Sequence, residues 1–397
     1  MFEHKISEVE VLYSNAKTVE TIESAQGDAG SYEKKLDSID SLLVRVTTTD
    51  GEVGYGECLC TGVGGALGTS YSSVINSIVG DLLSPLITGK NFQNASFYRD
   101  FTKITGRFGH MGWLLEALSG IDIALWDLKG KFTGQSISEM IYSKKRDKVK
   151  AYVSKIPGLR HLEEEEINRI SMKIKEMTKI GFRDLKLSGG YGVKADTESI
   201  IAAYDCAPTG TNFMIDIGEA YNLSTATLFS NNVNKFGLSW IEAPFPLTCV
   251  NCYSKFGKIT NIPVGLDPIP LVEYIPDFVL KGGAYVGIVN LVRDGGITNA
   301  LRYHQLADIF GFQLSLGCAW TITSVGLAAM VQVAASIEAI NLIETRAQFN
   351  HNPLGNLILN EPIRIENGHV IVPDGPGLGI KINEKKLEKY VDQKAVF

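Results

Sequence analysis

From Ala151 onward the sequence repeats one short pattern, an apolar run that ends on a polar residue. The runs are AYVSK (151–155), DLKLS (184–188), FMIDI (213–217), LSWIEA (238–243), IPVGLD (262–267), YVGIVNL (285–291), FQLSLGC (312–318) and INLIET (340–345), spaced roughly 22–33 residues apart. Most are separated by segments with helical periodicity. The first such segment places Ile167, Ile170, Ile174 and Met177 on one face behind the acidic stretch Glu163–Glu166, which suits a helix N-terminus. Another opens at Thr298, a candidate cap, and closes at Gly311, a candidate C-terminal glycine. Eight strands alternating with helices predict a parallel (β/α) barrel. The competing doubly wound sheet lacks its usual G-x-G-x-x-G after a first strand.

Residues 1–145 read differently. EVEVLYS and SLLVRVTTTDGEVGYGECL, with a turn at Asp50-Gly51, predict an antiparallel sheet, and MGWLLEALSGIDIALWDLKGKFTG predicts a helix. The tail NGHVIVPDGPGLGIKIN (367–383) returns to strand and turn character. The expected organisation is therefore an α+β capping domain over 1–145, a barrel over 146–350, and a C-terminal segment over 351–397 that packs back on the cap. A chain of 397 residues is long enough for two domains.

Composition narrows the function classes. With 45% hydrophobic and 21% charged residues the chain has ordinary globular composition. The net charge of −6, with no basic block, gives no reason to expect a nucleic-acid partner. The sequence has no 18-residue apolar run and no signal-peptide core at MFEHKISEVEVLYS, so no membrane span and a cytoplasmic location are expected. Six scattered cysteines then read as reduced thiols, and the lone C-x-x-C at Cys249 and Cys252 as loop thiols, half a zinc site at most.

In a parallel barrel the strand C-termini converge on one face. The polar residues at these ends are Lys155, Lys186 with Ser188, Asp216, Glu242, Asp267, Asn290, Cys318 and Glu344. Asp216, Glu242 and Asp267 fall on consecutive strands. Crowded carboxylates repel one another unless a cation holds them, and an all-oxygen donor set suits Mg²⁺. No histidine falls at a barrel strand end. His4, His304 and His369 read as surface or helix-face residues, His110 as packing in the cap, and Trp113, Trp126 and Trp240 as core.

The stretches YGECL (55–59), LSGIDIALWDLKGK (118–131), GFRDLKLS (181–188), MIDIG (214–218), WIEAPFP (240–246) and DGGIT (294–298) resemble landmarks of the enolase superfamily. HNPLGN (351–356) and VPDGPGLGIKIN (372–383) resemble the sugar-acid dehydratases and cycloisomerases of its mandelate racemase/muconate lactonizing enzyme family. The resemblance spans essentially the whole chain. It implies a modified (β/α)7β barrel under an N-terminal α+β cap, a homo-oligomer, a small carboxylate substrate, and a Mg²⁺ that stabilises an enolate. Asp216 and Glu242 match the first two metal ligands. In IPVGLDP the usual glutamate position is Pro268, so the third ligand is assigned to Asp267, as in muconate-type members.

The acid–base positions depart from the family pattern. A K-x-K motif becomes Lys186-Leu187-Ser188, and the sixth- and seventh-strand Asp and His become Asn290 and Cys318. A carboxylate-oriented imidazole cannot be built from those two. Glu344 still matches a position used as an electrophilic acid. Two functions follow. One is a Mg²⁺-dependent lyase or isomerase of the dehydratase or cycloisomerase type, acting on a sugar acid or its lactone. In it Lys186, with a pKa depressed by metal and burial, is the base, and Cys318 and Glu344 are further proton-transfer groups. The other is a catalytically silent barrel that binds a carboxylate ligand or serves structure. Arg293 and Asp294 flank the sixth strand end as replacement charge.

Overall fold

The structure is a computed structural model that describes residues 4–23, 35–60, 71–93, 97–105, 111–318, 322–346 and 353–397. The N-terminal part builds an antiparallel sheet from β1 (Ile6–Glu23), β2 (Lys35–Thr48) and β3 (Val53–Cys58), with β2 and β3 joined through the turn in which Gly51 takes a φ of +86°. Alternation sends Val9 and Val11 of β1 and Leu42, Val44 and Val46 of β2 to one face, where all are buried. The helix Trp113–Thr133 covers that face with Ile121, Ala124 and Leu128. Its backbone comes so close to β3 that a Cβ on Gly56 would lie 1.8 Å from the Gly120 carbonyl oxygen, so no larger residue fits there.

The second part is a closed barrel of eight parallel strands. They are β4 (Lys148–Ile156), β5 (Asp184–Ser188), β6 (Asn212–Asp216), β7 (Ile241–Glu242), β8 (Val264–Leu266), β9 (Val286–Val289), β10 (Gln313–Leu316) and β11 (Ile340–Arg346). Each pairs with the next in sequence, and β11 closes on β4 through Ile343 opposite Ala151. Among the described residues seven α-helices intervene, one in each gap, from Glu164–Lys179 to Ser324–Ser336, so the architecture is the (β/α)7β barrel with an N-terminal capping sheet. A hairpin of β12 (Ile365–Glu366) and β13 (His369–Ile371) adds antiparallel to the start of β4. The final strand, β14 (Gln393–Val396), pairs with β1.

Several local expectations change. Ile170, Ile174 and Met177 are buried, but Ile167, one turn from the helix start, is 39% exposed. Thr298 does not cap its helix, which spans Gly296–Phe310. Its backbone N–H and its hydroxyl donate to Asp122 of the cap, at 2.9 and 2.5 Å. Trp113 is 51% exposed rather than core. Cys249 and Cys252 are joined by a disulfide, not left as loop thiols. Among the described residues no helix is long and apolar enough to cross a membrane.

The cap is fastened to the open end of the barrel. Leu59 N–H donates to the Val292 carbonyl (2.8 Å), and Trp126 Nε1 donates to the Thr298 hydroxyl (2.9 Å). Glu57 of β3, fully enclosed, accepts from Thr323 N–H, the Thr323 hydroxyl and Gly326 N–H at the start of the helix Ser324–Ser336. A carboxylate suits that helix N-terminus.

Candidate active site

Strand register places the polar ends. Ser188 lies opposite Asp216, and Asp216 opposite Glu242. Because side chains alternate with period two, Met214 and Asp216 share a face, as do Trp240 and Glu242. The inner residues of these pairs, Met214 and Trp240, join Tyr152, Val286 and Ile288 in a small apolar cluster inside the barrel. Asp216 and Glu242 therefore stand one layer above an apolar floor.

Lys186, opposite Met214 in register, extends its ammonium to that layer. Its ammonium is hydrogen-bonded to Glu242 Oε1, lies 3.8 Å from Glu344 Oε1, and sits 5.5 Å from the centre of the Tyr152 ring. The other oxygen of Glu242 accepts from Trp240 Nε1 at 2.8 Å. Glu344 is held from the opposite side, where Cys318 N–H donates to its Oε2 at 2.8 Å. The described contact of Cys318 with Glu344 thus comes from its backbone. Lys186, Glu242, Cys318 and Glu344 are all buried.

A second charged group forms at the β8 and β9 ends. Arg293 Nη2 donates to Asp267 Oδ1 (2.6 Å), while Arg293 Nε donates to Asp294 Oδ1 (2.7 Å). Asn290 is occupied by its own turn: its N–H donates to Asp294 Oδ2 (2.8 Å) and its Oδ1 accepts from Val292 N–H (3.2 Å). It is a turn former here and carries no titratable group. The cap supplies a buried carboxyl that the sequence did not single out, Glu116. Burial pushes it up to about 7, against a hydrogen bond from Tyr71 and the charge of Arg293.

Electrostatics follow from the crowding. Burial, with repulsion from Asp216 and Asp267, pushes Glu242 up to about 8, although the Lys186 charge opposes this. Burial likewise raises Asp267, against the pull of Arg293. Burial favours the neutral amine of Lys186, but Glu242 and then Glu344 outweigh it and hold its pKa well above the ordinary lysine value. Burial by itself therefore does not depress the Lys186 pKa, and beside Glu242 and Glu344 the residue is a firmly held ammonium.

The donor chemistry of Asp216, Glu242 and Asp267 fits a hard divalent cation, since all three are oxygen donors and their mutual repulsion asks for positive charge. In the structure Lys186 and Arg293 supply that charge. Among the described residues no three His, Cys, Asp or Glu side chains stand in a ready metal-holding group. His110 lies outside the described residues. Trp240, read as core, is core in its ring and a Glu242 partner in its N–H. The signal was present in the W-x-E spacing, which puts both residues on the inward face.

Two family descriptions match the chain. "Mandelate racemase / muconate lactonizing enzyme, N-terminal domain" covers residues 36–141, and "Enolase C-terminal domain-like" covers residues 169–386. D-galactarolactone cycloisomerase of Agrobacterium fabrum is 31% identical over 373 residues, covering 91% of this chain and 93% of that protein. Among solved structures, the 3,6-anhydro-D-galactonate cycloisomerase of Zobellia galactanivorans superposes with a TM-score of 0.82 at 24% identity, covering 98% of this chain and 100% of that one. A variant of L-talarate/galactarate dehydratase, solved with Mg and L-glucarate, gives 0.81 at 19% identity, covering 100% of this chain and 94% of that one.

Proposed function

The chain belongs to the mandelate racemase/muconate lactonizing enzyme family of the enolase superfamily, and on that footing we propose that it is a Mg²⁺-dependent lyase or isomerase acting on a sugar acid or its lactone. The observation that carries the reading is the buried arrangement of Lys186 between Glu242 and Glu344 above an apolar floor. The sugar-acid relatives, and the Mg in the dehydratase structure, support the substrate class and the metal.

The chain's own residues can divide the work as follows. Asp216, Glu242 and Asp267 would hold the cation, which when bound would offset negative charge building on the substrate's carboxylate. Were Glu242 to hold the cation, Lys186 would lose a counter-charge and its pKa would fall toward the range of a useful base. Lys186 Nζ would then take the proton from the carbon beside the carboxylate. Glu344, held by Cys318 N–H and facing Lys186, would deliver a proton to the leaving oxygen. With Ser188 and Asn290 at the other usual positions, only one face of the substrate carbon meets a strong base. That favours elimination or cycloisomerisation over racemisation.

A second reading is a silent barrel that binds a carboxylate ligand. It is favoured by the Lys186–Glu242 and Arg293–Asp267 pairs, which neutralise the layer without a metal. Incubation with a panel of aldonates and their lactones in deuterium oxide, with and without Mg²⁺, separates the two. Metal-dependent deuterium uptake or product formation is the expected result. Silence across the panel with Mg²⁺ bound supports the second reading.

A further inference from the structure

The loop that follows β7 and Glu242 carries the only cysteine pair bonded among the described residues, Cys249 with Cys252. Both side chains are half-buried, whereas Cys58, Cys60 and Cys318 are buried. Burial pushes the Cys58 and Cys60 thiols well above the usual range, so neither is a nucleophile. Two features distinguish the Cys249–Cys252 bond from a structural staple. It closes a loop of C-x-x-C length, and short loops gain least from closure. It also lies at a helix start. Cys249 is the N-cap of the eight-residue helix Val250–Gly257, and while bonded its sulfur accepts no capping hydrogen bond.

Reduction changes that last point. A free thiolate at an N-cap can accept from the first-turn amides and is favoured by the helix dipole. The oxidised form has no equivalent gain, so the reduced form is selectively stabilised and the bond is readily exchanged. The backbone keeps the two sulfurs adjacent in either state. Cys249 N–H donates to Pro246 O (2.9 Å) and Cys252 N–H to Cys249 O (2.8 Å). The buried Tyr253 anchors the turn by donating to Phe245 O at 2.6 Å. Opening the bond therefore leaves the barrel intact and the pair ready to close again.

We propose that Cys249 and Cys252 form a thiol–disulfide exchange site whose substrate is a dithiol. One thiolate of the dithiol attacks Cys252 Sγ, forming a mixed disulfide and expelling the Cys249 thiolate into the N-cap position. The second dithiol sulfur, as thiolate, attacks its own partner sulfur in the mixed disulfide and releases Cys252. The dithiol leaves as its cyclic disulfide, two electrons have passed to the protein, and its two thiol protons go to solvent or to the new thiolates.

The test uses the full chain in graded mixtures of reduced and oxidised dithiothreitol, with acid quenching, differential alkylation and peptide mass spectrometry. Cys249 and Cys252 are expected to open and close together and reversibly, with unchanged circular dichroism and with Cys58, Cys60 and Cys318 unlabelled. A pair that opens only when the protein unfolds, or that is already alkylated in air-oxidised protein, overturns the proposal. The N-cap argument has its own readout. At neutral pH Cys249 in Cys252→Ser should react with iodoacetamide at least about tenfold faster than Cys252 in Cys249→Ser, and equal rates overturn it.

Discussion

Arg293 Nη2 lies 2.6 Å from Asp267 Oδ1, so the third carboxylate of the candidate metal layer already has a counter-charge from the chain itself. The same guanidinium also holds Asp294. A divalent cation reaching Asp267 must compete with it. Arg293→Met should therefore raise Mg²⁺ affinity by roughly tenfold, equivalent to about 1.4 kcal/mol. It should also lower the thermal midpoint of the metal-free protein, because Asp267 and Asp294 lose their partner. Calorimetric titration together with melting curves in Mg²⁺ and in EDTA checks both. Lost Mg²⁺ binding would show instead that Arg293 positions Asp267 for the metal.

Glu242 is the most enclosed of the three carboxylates and the only one with neighbours on both candidate ligand strands. Glu242→Gln keeps the shape but removes the charge that attracts both Lys186 and a cation. Mg²⁺ affinity should fall by about tenfold or more. Unchanged affinity in calorimetry would place any metal elsewhere.

The strand ends were legible because a barrel strand is covered on both faces along its length and meets polar surroundings only where it emerges at the rim. A short apolar run closed by a polar residue is the trace this leaves in the sequence. Asp216 and Glu242 close their strands, and Lys186 and Glu344 each stand two residues before the end of theirs. Partner choice was not legible, because it is decided across the barrel. Lys186 reaches Glu242 over a separation of 56 residues, and Thr298 serves Asp122 over 176 rather than capping its own helix. The Cys249–Cys252 bond was missed for another reason. A spacing of three permits a disulfide and a pair of free thiols alike. Ile167 fits the helical period yet is exposed, since periodicity gives a direction but not how far the core extends toward the helix start.

Lys186→Met removes the ammonium from between Glu242 and Glu344, and with it the charge over the Tyr152 ring, while keeping an unbranched apolar stem. Deuterium uptake into a substrate aldonate should drop to the uncatalysed rate, with Mg²⁺ binding retained or tightened because Glu242 is released. The pairing of those two outcomes separates a lost base from a lost fold. Exchange that survives the substitution refutes Lys186 as the base.

Stability should depend on pH through Glu57. Burial pushes its carboxyl up to about 7, against the hydrogen bonds from Thr323 and Gly326, from an ordinary value of 4.5. Between those two values the native state binds a proton that the unfolded state has released. The contribution is therefore fully present below the unfolded pKa and is lost as pH rises through the folded one, with a slope of at most about 1.4 kcal/mol per pH unit. Glu57→Gln removes this titration. Its amide also presents an N–H group to a pocket of donors at Thr323 and Gly326, so the variant should be less stable than the native protein in acid. As pH rises from about 5 to about 8 the native protein loses its advantage at Glu57, and the stability gap between the two should narrow. Urea unfolding of both proteins across that range measures the gap directly. A gap that stays constant with pH would mean that Glu57 remains charged at the start of the helix, held there by the amide donors and the dipole despite its burial.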